Sequence, residues 1–332
     1  MDVSIVIPTK NNADILERCL KSIQNLDYPQ DQLEVIIVDG NSTDGTVEIA
    51  KKYGCRVIFE DKGTISYARD IGVRNANGRF IAFTDADCAV GRNWIKELIK
   101  HFDGDVAAVG GPNITPKDDT DFAKCVGLVL SFLSKPGSRY GLTEEGVMEI
   151  YHNPTCNVMY RKEVLNEVGG FNYDLVTVDD EELDYRISEK GYRILYTSSA
   201  RVDHYRRPTW RKFFRMAYNY GLGRMQAIKL HRDMGRWFHY TPSLLILLIV
   251  VLLALSVYTI FSLWVALGLL VFGGVGISMM SMQCLKDNFN IKKFLTIFGL
   301  IAIWFWLWGF GFMRGIPKPV RSVQWPPVGG DQ

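Results

Sequence analysis

The stretch Arg79-Phe80-Ile81-Ala82-Phe83-Thr84-Asp85-Ala86-Asp87 decides the fold. Its apolar run is short and continuous, as a strand buried on both faces of a sheet must be, and it ends in two carboxylates spaced i and i+2. Working outward, the same kind of run recurs at Val3–Ile7, Glu34–Val38 and Arg56–Phe59. Between these runs lie helical patterns over Asn12–Asn25, Thr43–Tyr53 and Ile65–Asn75; in the first, Ile15, Leu16, Cys19, Leu20 and Ile23 fall on one face. Strands alternating with amphipathic helices predict an α/β fold with a mostly parallel sheet covered on both sides. In such folds ligands bind at the carboxyl ends of the strands.

Those ends are polar. The first strand leads into Pro8-Thr9-Lys10-Asn11-Asn12, the second into Asp39-Gly40-Asn41-Ser42-Thr43-Asp44-Gly45, and the fourth into Asp85-Ala86-Asp87. Two carboxylates around one turn can share a hard divalent cation, Mg²⁺ or Mn²⁺, whose shell is completed by water and phosphate oxygens. The glycine fingerprint of dinucleotide dehydrogenases and the phosphate loop of NTPases are both missing from the sequence. An aspartyl-phosphate phosphatase needs a nucleophile on the first strand, which here ends in Pro8-Thr9.

The 332 residues are 48% apolar and 22% charged with a net charge of +2, which excludes a low-complexity disordered chain. That near-zero balance is a cancellation. Residues 1–200 carry 22 Lys and Arg against 32 Asp and Glu, a net of −10, whereas residues 201–240 carry 10 against 2, a net of +8. Cys19, Cys55, Cys88, Cys125, Cys156 and Cys284 show neither zinc-ligand nor disulfide-framework spacing; the first five are expected to be reduced thiols on the cytoplasmic side. No signal-peptide pattern precedes Val3.

Between Pro242 and Gln283 there is no charged residue, and Phe294–Met313 is a further uncharged run carrying Trp304, Trp306 and Trp308. About 20 helical residues cross a bilayer core. An integral membrane domain over 241–332 is therefore expected, with about three helices near 242–260, 262–282 and 294–313 and a hairpin break around Tyr258–Ser262. The bases at 201–240 and the lysines Lys286, Lys292 and Lys293 place the N-terminal domain on the cytoplasmic side. Three spans then leave Arg314, Lys318 and Arg321 outside, against the positive-inside rule; either that is tolerated or one segment is re-entrant.

As an ordered set, Val3–Thr9, Val38–Thr46, Ala68-Arg69-Asp70-Ile71-Gly72 and Asp85-Ala86-Asp87 resemble the family 2 glycosyltransferases of GT-A fold, over roughly residues 2–225. The resemblance implies that Pro8, Thr9 and Asp39 bind the nucleotide, with Asp39 at the base edge, and that Arg69 lies near the donor phosphates. Asp85 contacts ribose or metal, Asp87 holds the metal, and His204 in Val202-Asp203-His204-Tyr205 resembles a late histidine that supplements metal or diphosphate binding. The family often has Asn where this chain has Asp70, which puts an extra carboxylate near the phosphates. An acidic site binds a nucleoside diphosphate sugar only with a cation, because the leaving diphosphate is itself anionic.

The segment Val178-Asp179-Asp180-Glu181-Glu182-Leu183 opens a helix, and acids there suit the helix dipole. It also resembles the family's acidic acceptor motif, with Asp179 in place of Glu, which makes Asp180 the catalytic base. A carboxylate crowded by Asp179 and Glu181 has reason for a raised pKa, and general-base help suits a hydroxyl acceptor better than an already ionised phosphate. Tyr220-Gly221-Leu222-Gly223-Arg224 resembles a segment of membrane-anchored exopolysaccharide and lipid-linked sugar transferases. The QxxRW segment of processive synthases is missing, favouring single-sugar transfer.

In residues 208–240, Trp210, Phe213, Phe214, Tyr218 and Tyr220 interleave with Arg211, Lys212 and Arg215, as in a helix lying on an anionic leaflet. RNA binding uses the same residue types, but adjacency to the membrane run argues against a nucleic-acid partner. The bases can pair with the phosphate of a lipid-linked acceptor or serve only to anchor residues 1–207, the catalytic domain. The expected activity is inverting, metal-dependent transfer from a UDP-sugar, in preference to a GDP-sugar, to a hydroxyl of a lipid-linked saccharide or surface-glycan precursor. A polyprenyl-phosphate glycosyltransferase is the alternative within the class. The alternative from another class is a non-catalytic sugar-nucleotide-binding membrane protein, against which Asp85, Asp87 and Asp180 weigh together. Donor identity is expected to depend on loops within Gly111–Gly141.

Overall fold

The computed structural model describes residues 2–133, 146–206, 208–286 and 289–323. Its N-terminal half is built on β1 (Val3–Thr9), β2 (Leu33–Asp39), β3 (Arg56–Phe59) and β4 (Phe80–Thr84), all parallel in the order β3-β2-β1-β4. Helices α1 (Ala13–Gln24), α2 (Thr46–Lys52) and α3 (Ile65–Asn75) make the crossovers. Every residue of β1 and β4 is buried because both sheet faces are covered. Ile5 and Ile7 pack with Leu16, Cys19, Leu20 and Ile23 of α1 on one face, and Val6 joins Ile36, Val38, Ala68 and Val73 on the other. Helix α2 starts three residues later than its periodicity predicts, because residues 41–45 form a polar turn instead.

Next come β5 (Cys88–Val90), α4 (Trp94–Ile99), β6 (Val106–Gly110), β7 (Asn113–Ile114), α5 (Asp121–Leu133), β8 (Val147–Glu149), β9 (Asn157–Arg161), α6 (Lys162–Val168), α7 (Asp179–Glu189), β10 (Arg193–Thr197) and β11 (Val202–His204). They extend the sheet to β3-β2-β1-β4-β9-β6-β10-β8. Strand β9 runs antiparallel to both β4 and β6, and β8 runs antiparallel to β10, so the parallel character lies chiefly in the N-terminal half. A second small sheet, β5-β11-β7, sets His204 directly opposite Cys88. Of the Gly111–Gly141 segment, residues 134–141 lie outside the described residues.

The chain then forms α8 (Trp210–Leu230), α9 (Trp237–Leu255), α10 (Ile260–Leu285) and α11 (Ile291–Gly315). The last three are long and apolar enough to cross a membrane, with mean hydropathies of 2.3, 2.3 and 1.8. Helix α9 ends at Leu255, earlier than the expected break, and α10 begins at Ile260. Helix α8 is more than a surface helix. Gly221 lies against the carbonyl of Trp308 and Gly311 against the carbonyl of Tyr218, so α8 and α11 touch backbone to backbone where any Cβ would intrude. Phe213 of α8 and Ile297, Leu300 and Ile301 of α11 share a core with Cys125, Val126 and Val129 of α5, an apolar helix that the sequence reading does not foresee. Among the described residues no two cysteines form a disulfide.

Candidate active site

The loops after β1 and β2 interlock. Asn11 and Asn41 adopt left-handed backbone conformations (φ 52° and 59°), which Asn tolerates better than most residues. The Asn11 amide donates to Ser42 Oγ at 2.8 Å, and the Thr43 amide donates back to Asn11 Oδ1 at 2.8 Å. Asp39, fully buried at the end of β2, accepts from the Ser42 amide at 2.7 Å and from Ser42 Oγ at 2.6 Å. Thr9, beside it across the β1–β2 register and next to Pro8, accepts from Asn12 Nδ2 at 3.0 Å. These residues thus form one rigid rim at the carboxyl edge.

Asp70 behaves differently from its expectation. Its buried carboxylate pairs with Arg74 one turn along α3 at 3.0 Å, so it does not stand as an uncompensated charge towards the donor side. Arg69, on the same helix and buried, pairs with Asp179 at 2.8 Å. Its Nε has no hydrogen-bond partner among the described residues. Burial opposes its charge, but Asp179, Asp85 and Asp180 together outweigh that and hold it protonated.

Beyond β4, donor atoms of Asp85, Asp87, Cys88 and His204 all lie within 4.8 Å of one another. The small sheet is the cause, since pairing of β5 with β11 brings His204 Nε2 to 3.3 Å from Asp87 Oδ1. Asp85 is pushed up to about 7, by burial first, with Cys156 and Asp87 adding to it and Arg69 and His204 opposing. His204 is raised despite burial and Arg206, because Asp87 and Cys156 favour its charge. Burial, then Cys156 and the two aspartates, keep Cys88 a thiol. The cluster therefore offers two carboxylates and an imidazole, a donor set that fits Mn²⁺ or Mg²⁺.

On the acceptor side, α7 begins after Val178, a β-branched residue held at φ 68°, a strained conformation next to functional acids. The four acids that follow are not the mutually repelling cluster expected from sequence. Asp179 is paired with Arg69, and Glu182 with Arg186 at 2.9 Å. Glu181 accepts from both terminal nitrogens of Arg224, one at 2.8 Å, and Arg224 outweighs burial to hold that carboxyl at about 2. Arg224 is thus buried against α7, whereas Arg211, Lys212 and Arg215 sit apart, on a different stretch of α8, where with Met216 and Asn219 they line a groove of about 470 Å³.

Asp180 stays partly accessible. It accepts from the Thr155 amide at 3.3 Å and Thr155 Oγ1 at 3.2 Å, and His152 Nε2 lies 3.9 Å away. His152 Nδ1 contacts Asp184 at 2.8 Å, and Asp184 also accepts from the Asn153 amide and from Tyr160 Oη. Burial opposes a charge on His152, yet Asp180 and Asp184 outweigh it and lift the imidazole to about 9. Sequence reasoning missed this His152–Asp184–Tyr160 network. Its signal was the polar run His152-Asn153-Pro154-Thr155 immediately before β9.

The arrangement places a cluster of two carboxylates and an imidazole, a buried arginine with an open donor, and a braced carboxylate along one edge of an α/β sheet. Comparison with known proteins agrees. The family model described as Glycosyl transferase family 2 matches residues 4–169. The glycosyltransferase AglE of Haloferax volcanii is 26% identical over 239 residues, covering 69% of this chain and 75% of that protein. The dolichyl N-acetyl-alpha-D-glucosaminyl phosphate 3-beta-D-2,3-diacetamido-2,3-dideoxy-beta-D-glucuronosyltransferase of Methanococcus voltae is 26% identical over 272 residues, covering 77% and 83%. Among solved structures, the mannosyltransferase PcManGT of Pyrobaculum calidifontis, in complex with GDP-Man and Mn²⁺, superposes with a TM-score of 0.58 at 19% identity, covering 95% of this chain and 87% of that one. That likeness is one of fold, a GT-A-like sheet domain followed here by the apolar C-terminal helices.

Proposed function

The chain belongs to glycosyl transferase family 2, and we propose that it moves one sugar, with inversion, from a UDP-sugar (in preference to a GDP-sugar) to a hydroxyl of a lipid-linked saccharide or surface-glycan precursor. The observation that carries this reading is the Arg69–Asp179 pair, at 2.8 Å, which joins the donor half of the site to the residue preceding Asp180. The name of the Methanococcus voltae relative, an enzyme acting on a dolichyl phosphate-linked sugar, supports a lipid-linked acceptor.

Pro8, Thr9 and Asp39 form the rim for the nucleotide, with Asp39 at the base edge. Arg69, with its open Nε, lies towards the donor phosphates. Asp85, Asp87 and His204 would hold a divalent cation, which would supply countercharge to the departing diphosphate. Asp180 takes the proton of the acceptor hydroxyl while that oxygen bonds to the anomeric carbon. The bond from this carbon to the phosphate oxygen breaks, and the nucleoside diphosphate leaves with the electron pair. A single displacement of this kind inverts the anomeric carbon. Asp179 and Glu181, fixed by Arg69 and Arg224, set the start of α7, and His152 orients Asp180. Arg211, Lys212 and Arg215 receive the lipid phosphate, on the cytoplasmic side of the membrane.

The test is donor hydrolysis by the purified full chain against UDP- and GDP-sugars, with Mg²⁺, Mn²⁺ or EDTA. Metal-dependent turnover of one donor class supports the reading, and binding without turnover makes the protein a sugar-nucleotide binder. Asp180→Asn should abolish transfer and spare donor binding. Full retained transfer removes the base assignment and favours an ionised polyprenyl phosphate as acceptor. Replacing Arg211, Lys212 and Arg215 by Gln should raise the KM for a lipid-linked acceptor and leave donor hydrolysis unchanged; an unchanged KM leaves these bases only an anchoring role.

A further inference from the structure

Helix α11 has the length and hydropathy of a membrane span, yet both of its ends return to the catalytic domain. Near its start, Ile297, Leu300 and Ile301 pack on Cys125, Val126 and Val129 of α5. After its end, the Arg321 amide donates to Asp174 Oδ2 at 3.1 Å and Asn172 Nδ2 donates to the Arg321 carbonyl at 2.9 Å. Lys229 Nζ donates to the Ile316 carbonyl at 3.0 Å.

Between these points α11 runs alongside α8 and parallel to it. Trp304 stacks near Phe213 and Tyr220, with ring centroids 5.8 and 5.6 Å apart, and Gly311 meets Tyr218 further along. Helix α8 is itself pinned to the catalytic domain at both ends. Trp210 stacks on Phe122 of α5 with centroids 4.9 Å apart, and Gln226 Nε2 donates to the Asp174 carbonyl at 3.2 Å. From Ile297 to Gly315 the helix covers about 27 Å, nearly a bilayer core. A segment of that length held at both ends by the catalytic domain, through α5 at its start and through Asn172 and Asp174 after its end, has the geometry of a helix lying along the membrane surface.

We infer that α8 and α11, with α5, form a platform lying in the leaflet on the catalytic side, and that α9 and α10 alone cross the bilayer as a hairpin. Three independent features fit. Trp304, Trp306 and Trp308 sit in the middle of α11, at the bilayer centre if it spans but at the headgroup level, where tryptophan partitions, if it lies flat. Both ends of α11 carry bases, Lys292 and Lys293 at one and Arg314, Lys318 and Arg321 at the other; in a flat helix all of them, with Arg211, Lys212 and Arg215, face one anionic leaflet. In contrast, α9 and α10 expose long apolar faces, including Leu244, Val251, Val271 and Phe272, and join through a turn with Tyr258 88% exposed. With two spans, the bases Arg314, Lys318 and Arg321 no longer break the positive-inside rule. This inference stands apart from the sugar-transfer reading.

The test places single cysteines at Gln30, Tyr258 and Ser322 of the full chain, in a background with Cys55→Ser and Cys284→Ser, and reads labelling by a membrane-impermeant maleimide in inverted and right-side-out vesicles. Gln30→Cys and Ser322→Cys should label from one side and Tyr258→Cys from the other. Labelling of Ser322→Cys together with Tyr258→Cys overturns the inference, as does labelling of all three from one side. Lys318→Cys repeats the decisive position if Ser322→Cys is poorly expressed, and circular dichroism with thermal unfolding in detergent checks that each variant is folded.

Discussion

Replacing Arg69 by Met removes one partner of a pair whose side chains are only 7% and 4% exposed. Breaking a buried ion pair from one side costs about 3–5 kcal/mol, because the surviving charge is stranded. The cost is tempered here, since burial already raises Asp179 towards protonation and the orphaned carboxylate can take up a proton. We therefore expect about 3 kcal/mol, or a loss of roughly 10 °C in the unfolding midpoint of the catalytic domain. Adding Asp179→Asn should recover most of this, because an amide needs no countercharge. Recovery of stability should not bring recovery of donor binding. Losing a charge-assisted contact to the diphosphate is worth about 1.5–3 kcal/mol, so the double variant should bind nucleotide sugar about 10- to 100-fold more weakly. Thermal unfolding in detergent, with donor titration by calorimetry, reads both quantities. A double variant that is stable and binds donor as the parent does would show that Arg69 is purely structural. A single variant as stable as the parent would refute the pair itself.

Three further outcomes are expected. His204→Ala should weaken Mn²⁺ binding, followed by electron paramagnetic resonance, by at least about 10-fold, with the fold intact by circular dichroism. His152 titrates near 9 in the folded chain against about 6.5 unfolded, so its contribution, about 3 kcal/mol at most, is complete below pH 6.5 and is lost as pH rises through 9; unfolding midpoints of the parent should converge on those of His152→Gln across that window. Gly311→Leu places a side chain where α11 meets the Tyr218 carbonyl, and prising α8 from α11 should cost about 1–3 kcal/mol and lower transfer more than donor hydrolysis.

Much of the donor half could be read from sequence for a physical reason. Strands β1, β2 and β4 are buried in a parallel sheet, so their residues must be apolar without interruption, and the polar residues that end each run mark the carboxyl edge. Asp85 and Asp87 lie four residues or fewer from buried Phe83, so their placement is local. What escaped was non-local. Strand β9 enters antiparallel between β4 and β6, a register that periodicity does not encode. Asp179 and Glu181 read as part of a repelling run because their neutralising partners lie far off: Arg69 is 110 positions upstream of Asp179 and Arg224 is 43 downstream of Glu181, whereas the Glu182–Arg186 pair is local. The Asp70–Arg74 pair, four residues apart on one helix, was within reach of the sequence and explains the departure from the family pattern. The glycines of Tyr220–Arg224 carried a signal too, since they are the points where α8 meets α11 and the Thr177 carbonyl.

The small sheet β5-β11-β7 has a consequence for how the protein is made. It brings together Asp87 and His204, which are separated by well over a hundred residues of chain, and closing so long a loop is entropically unfavourable and comes late. During synthesis the cation pocket is incomplete until β11 has emerged, by which time α8 is the next element out and the nascent chain is approaching the bilayer. A divalent ion in that pocket would fasten the last strand of the catalytic domain to the middle of it, and so would stabilise the folded domain in proportion to its occupancy.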